Sequence, residues 1–177
     1  MRIVRSSLLA VALSCGLGLG PVAAAPAHAP QISAVAPPQV TVVVDPEFAA
    51  AAFRTYGKTE LEAQAERLRK LVAVDLQRLG VMAGGRVELV LTDIRPSRPT
   101  PQELMSRPGL SFRSAALGGA SIEGRTVAFD GAVTPVSYAW YASDISDSGR
   151  QSVWGDAERT FERFSHRLSR GQLYALR

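Results

Sequence analysis

A chain of 177 residues, 46% hydrophobic and 20% charged, fits one ordinary domain, and a second core is not expected. Its formal charge of +4 includes Arg2 and Arg5 at the extreme N-terminus; without them it falls to +2, too little to argue for a nucleic-acid partner. The one cysteine, Cys15, excludes a disulfide framework within the chain, so stability must come from the core.

Residues 1–25 read as a secretory signal: a basic start, an apolar run from Leu8 to Leu19, then small residues from Val22. The run is shorter than the roughly 20 apolar residues a spanning helix needs, so no transmembrane helix is expected in the mature protein. Pro30 disfavours cleavage after Ala29, and a cut between Ala24 and His28 is expected instead. Ala12-Leu13-Ser14-Cys15-Gly16 resembles a lipobox, and only lipidation at Cys15 would attach the protein to a membrane. The plainer reading is a cysteine discarded with the signal. The Ala- and Pro-rich stretch 26–39 reads as a flexible leader, and a single α/β domain is expected over 40–177.

Within that domain Val40 to Val44 is a β-branched run closed by Asp45-Pro46, of the kind usually interior to a sheet. Phe48 to Tyr56 has a helical look and ends at Gly57. Thr59-Glu60-Leu61-Glu62 reads as a capping box opening a clearer helix, whose stripe is Leu61, Ala65, Leu68, Val72, Leu76 and Leu79, with Gly80 as its stop. Arg86 to Ile94 alternates as a second strand, parallel to the first through a right-handed crossover, with Val87, Leu89 and Leu91 on one face.

Pro96, Pro99, Pro101 and Pro108 then predict a long loop with a turn of helix at Pro101 to Met105. Phe112 to Asp130 reads either as a strand with a bulge or as a hairpin turning at Glu123-Gly124. Asp130-Gly131 signals a turn, and Val136 to Ile145 a strand with Val136, Tyr138 and Trp140 on one face. After a polar loop from Asp144 to Gly149, Trp154, Ala157, Phe161, Phe164 and Leu168 mark a closing helix, with Gly155 as N-cap and Gly171 as stop. The expected fold is α+β: a two-layer sandwich of a mixed sheet of four or five strands with two main helices on one face, in the order β-α-β-β-β-α.

Chemistry-bearing residues are few. Within the expected domain the only histidine is His166, which falls opposite the apolar stripe of its helix and points to solvent. With so few soft ligands no metal site is expected, and no cofactor motif is present. Asp144-Ile145-Ser146-Asp147-Ser148-Gly149 is similar to the first half of a calcium loop, but Gly155 stands where its bidentate glutamate belongs. The strand-end carboxylates Asp45, Glu47, Asp93 and Asp130 suit general acid-base chemistry only if they converge; singly they are turn formers.

Most individual is the proline-rich loop, where Arg95, Arg98, Arg107 and Arg113 recur and present guanidinium groups to an anion or partner. Tyr141 joins them as an aromatic able to stack on a sugar or partner from an open sheet face.

Leu91-Thr92-Asp93-Ile94, Gly118-Gly119-Ala120 and the final Trp154-Gly155-Asp156-Ala157 helix, in this order of elements, resemble small exported proteins and lipoproteins of proteobacteria that carry domains of unknown function. The resemblance implies a periplasmic or secreted location and carries no catalytic residues. The functional expectation is a non-enzymatic binding or envelope-accessory domain whose partner is an envelope protein or polymer; the alternative is a hydrolase using strand-end carboxylates.

Overall fold

The computed structural model describes residues 36–145 and 152–172. The signal, Cys15 and most of the leader and of the calcium-like loop lie outside those residues.

Strand β1 (Gln39–Val44) pairs in parallel with β2 (Arg86–Arg95), which pairs antiparallel with β3 (Gly119–Val127), which pairs antiparallel with β4 (Val133–Tyr141). The sheet order is β1-β2-β3-β4. The β-branched run is therefore an edge strand rather than an interior one. A run of Val and Thr carries no face label, and packing supplies it: Val40 and Val42 pack against the core while Val43 is 51% exposed. The opposite edge carries Pro135 in β4, where a missing amide blunts pairing with another chain.

Among the described residues, four helices accompany the sheet. Helix α1 (Pro46–Tyr56) is capped by Asp45, whose Oδ1 accepts from the Phe48 amide at 2.9 Å, with Pro46 in the first turn. Gly57, at φ 94°, joins it directly to α2 (Lys58–Leu79). Because Gly57 is the N-cap of α2, the capping box expected at Thr59 does not form. Glu62 lies near Lys58, and Glu60 is drawn across to accept from the Trp154 indole at 3.0 Å. A capping box does form at Thr100 and Glu103, where it opens the short α3 (Pro101–Ser106).

The closing helix α4 (Gly155–Ser169) is capped by Trp154 rather than Gly155. Leu61, Leu68, Val72 and Leu76 of α2 share one cluster with Ala157, Phe161 and Phe164 of α4 and with Val87, Leu89, Leu91, Ile94 and Ile122 of the sheet. Helix α2 packs on β1, α4 packs on β3 and β4, and the two helices touch each other. This is the expected two-layer sandwich with four strands, and its order is the expected one with α1 and α3 added. Leu79, placed in the α2 stripe by spacing, is half exposed at the helix end.

The third strand is continuous. Gly124 pairs with both Leu89 and Val136, so no hairpin turns there, and a side chain at Gly124 would collide with the Glu88 carbonyl and Leu89. The turn is at Asp130-Gly131, where Asp130 accepts from the Ala132 amide at 2.9 Å.

The bulge lies in β2 instead, between Leu91 and Asp93. One extra residue reverses the alternation of a strand. Past Thr92, Ile94 therefore stays in the core while Asp93 and Arg95 turn to the open face of the sheet, which brings them to the candidate site.

Candidate functional site

The site is built where β2 ends. The segment after Arg95 is fixed rather than loose: Pro96, Ser97, Pro99 and Thr100 are all buried. Its backbone is tied to the approach of α4 by the Ser97 amide, which donates to the Val153 carbonyl at 2.7 Å, and to its own return by the Ala116 amide, which donates to the Ser97 carbonyl at 3.0 Å.

Asp156, 2% exposed in the first turn of α4, locks the arrangement. Its Oδ2 accepts from the Ser97 hydroxyl at 2.9 Å and from the Gly118 amide at 3.2 Å. The Ser97 oxygen in turn accepts from the Asp156 amide at 3.0 Å. Its Oδ1 lies 3.7 Å from the Arg159 guanidinium, an ion contact longer than a hydrogen bond. Only glycine suits position 118, because a Cβ there would stand 2.6 Å from Ser97 Oγ.

This bracket gathers three of the predicted arginines. Arg95, Arg98 and Arg107 line one cavity of about 260 Å³ together with Tyr56 and Glu103. The rest of its wall is largely apolar, with Pro96, Pro99, Leu110 and Leu117. Arg98 also reaches the Phe112 carbonyl at 3.3 Å, which holds the two arms of the loop together. Arg107 stands 3.7 Å from Glu103, whose other oxygen serves the Thr100 cap. Arg113 is exposed and does not line the cavity; it belongs to the outer part of the loop, where its amide donates to the Ser111 hydroxyl.

Tyr56 was not legible as a site residue. It is the last residue of α1, stacked edge-on against Trp154 with centroids 5.8 Å apart, and only the folding of α1 onto α3 delivers it to the loop. Burial, then the Glu103 and Asp93 carboxylates, raise its pKa, and Arg95 and Arg107 oppose them.

Tyr141 stands beside the cavity, not in it. Arg95, Gly119 and Tyr141 form one row across β2, β3 and β4, and the ring lies over Gly119, where a Cβ would come within 2.6 Å of Cδ1. The hydroxyl donates to Asp93 Oδ2 at 2.6 Å, and the Arg95 guanidinium sits 4.8 Å from the ring centroid while its Nε donates to the same Asp93 oxygen at 3.1 Å. Its ring is thus engaged by Arg95, so it braces that arginine instead of offering an open stacking platform.

Burial first, then the hydrogen bond to Asp93, push the Tyr141 phenol far above its ordinary value of 10.0. A phenol whose pKa is raised in the folded state stabilises fully below the unfolded value, and that contribution is lost as pH rises through the folded one. Stability should therefore decline above about pH 10, and Tyr141→Phe should flatten the decline. At neutral pH that variant should cost about 1 kcal/mol, since the bond is partly exposed to water. Urea denaturation across pH 7 to 11 measures both.

Three of the strand-end carboxylates are each engaged elsewhere. Asp45 caps α1 and Asp93 holds Tyr141 and Arg95. Asp130 turns the β3–β4 hairpin at the opposite end of the sheet, beyond the pairing of Arg86 with Val127. His166 is exposed on α4, and among the described residues no group of three or more His, Cys, Asp and Glu is placed to hold a metal. No described helix is long and apolar enough to cross a membrane. Compared with known protein families and with curated proteins, the chain matches none of them.

Proposed function

We propose that this is a small exported domain of a bacterial envelope, periplasmic or secreted, that binds an anionic group of an envelope protein or polymer without transforming it. The observation that carries the reading is the convergence of Arg95, Arg98 and Arg107 on one cavity walled by buried prolines. Guanidinium groups held on a fixed backbone recognise an anion without the ordering cost of a mobile loop. A cavity of about 260 Å³ suits an end group or pendant group rather than a length of polymer. The export signal read in residues 1–25 supplies the location, with attachment through Cys15 as the alternative. The hydrolase reading is less favoured, because the carboxylates it needs are spent on a helix cap, a tyrosine and a turn.

The test is a titration of the isotope-labelled chain with sodium acetate and with inorganic phosphate, followed through its amide resonances. At least one anion is expected to shift Arg95, Arg98 and Arg107 in a saturable way, and Arg95→Ala combined with Arg107→Ala is expected to abolish the response. No saturable shift with either of these anions, nor with a larger organic carboxylate, would remove the reading. Intact mass of the protein recovered from fractionated bacteria separates a cleaved, soluble form from one lipidated at Cys15.

A further inference from the structure

We infer that the arginine cavity takes a carboxylate carried on a short apolar body, of about the size of benzoate; this rests on the anion-binding reading above and adds the chemistry of the ligand. Size sets the first limit. A volume of about 260 Å³ is that of roughly eight or nine waters at about 30 Å³ each, room for one ring or a short acyl chain with its charged end.

The wall sets the second. Pro96, Pro99, Leu110 and Leu117 give an inorganic anion nothing to bind, whereas an apolar body covers them and leaves its charged end for the guanidinium groups.

Charge decides between carboxylate and phosphate. Glu103 is in the wall and only 8% exposed, and Asp93 already holds Arg95 from the sheet side, so two of the arginines each face a carboxylate before any ligand arrives. A dianion would meet Glu103 at close range, while a monoanion meets less repulsion and keeps the same arginine contacts. Geometry agrees: a planar guanidinium fork matches a planar carboxylate, and the Tyr56 hydroxyl, with no hydrogen bond to another described residue, is a further donor.

Amide-resonance titrations of the full chain with sodium benzoate, sodium acetate, phenyl phosphate and benzyl alcohol test this. Benzoate is expected to bind with a dissociation constant below about 1 mM, at least about tenfold tighter than the other three. The shifts should centre on Tyr56, Arg107, Leu110 and Leu117. Arg107→Ala, at a side chain 60% exposed and so safe for folding, should weaken benzoate about tenfold, and Tyr56→Phe should weaken it about threefold while keeping the stack on Trp154. Acetate binding as tightly as benzoate would overturn the apolar part of the inference, and phenyl phosphate binding more tightly would overturn the carboxylate. Either result leaves anion binding itself standing, whereas silence from all three anions removes both.

Discussion

Asp156→Ala is expected to destabilise the protein by about 3 kcal/mol, because it orphans two buried donors at once. The Ser97 hydroxyl and the Gly118 amide both donate to its Oδ2, and position 97 is wholly buried. An unmet buried donor costs about 1–3 kcal/mol, far more than the net gain of making the bond. Asp156→Asn keeps an acceptor for both donors and should cost less. Ser97→Ala leaves the buried Asp156 amide unmet and should cost about 1–3 kcal/mol, and in the double variant Ser97→Ala/Asp156→Ala the effects should fall short of adding by about 1 kcal/mol, since the two side chains share one bond. Urea denaturation of the four variants reads these differences. A functional consequence follows, because the same bonds hold the backbone from which Arg95 and Arg98 project.

The second large effect is expected at Phe161→Ala, at about 3–5 kcal/mol. Phe161 is wholly buried on α4, between Ala157 and Phe164, in the cluster that also contains Leu61 and Leu68 of α2. Truncation removes its apolar burial and leaves a cavity that two packed helices and a sheet cannot close. Leu68→Ala, at the matching depth of α2, should cost about 2–5 kcal/mol. Because both stripes cover one side of one sheet, each variant should still unfold in a single transition seen alike by tryptophan fluorescence and by far-ultraviolet circular dichroism. Two separate transitions would mean two cores. Phe129→Ala is the contrast: the residue is 84% exposed, so a change within about 0.5 kcal/mol is expected.

Elements set by local periodicity were legible in the sequence. The stripes of α2 and α4 follow helical spacing, and the structure buries Leu61, Leu68, Val72, Leu76, Phe161 and Phe164 as that spacing requires. The parallel pairing of β1 with β2 follows from the intervening helices, and the Asp130-Gly131 turn from its dipeptide.

What depended on partners distant in sequence was not legible. A run of valines does not say whether it lies at an edge, and the capping signature at Thr59 lost to a direct junction of two helices at Gly57. Thr92 carries no mark of a bulge; only the phase of its neighbours does, since burying Leu91 and Ile94 together breaks strict alternation.

The site divides in the same way. Recurring arginines among prolines pointed to the loop, and three of the four do share a cavity, while Arg113 stays outside it. Tyr141 sits beside Arg95 as a brace, a role set by the absence of a side chain at Gly119. Tyr56 reaches the cavity through the packing of α1, and Asp156 reaches Ser97 across 59 residues of chain. Neither spacing leaves a trace in the sequence. A serine between two prolines, and an aspartate opening an amphipathic helix, are each ordinary alone.

Hydrogen exchange at the amides of Ser97, Ala116 and Gly118 probes most directly whether the arginine segment is a rigid bracket before any ligand arrives. These amides donate to the Val153 carbonyl, the Ser97 carbonyl and the Asp156 carboxylate. Exchange as slow as that of the β2–β3 ladder, opening only with global unfolding, is the predicted result. Exchange at the rate of an open loop would contradict it, leaving the arginines without a fixed frame.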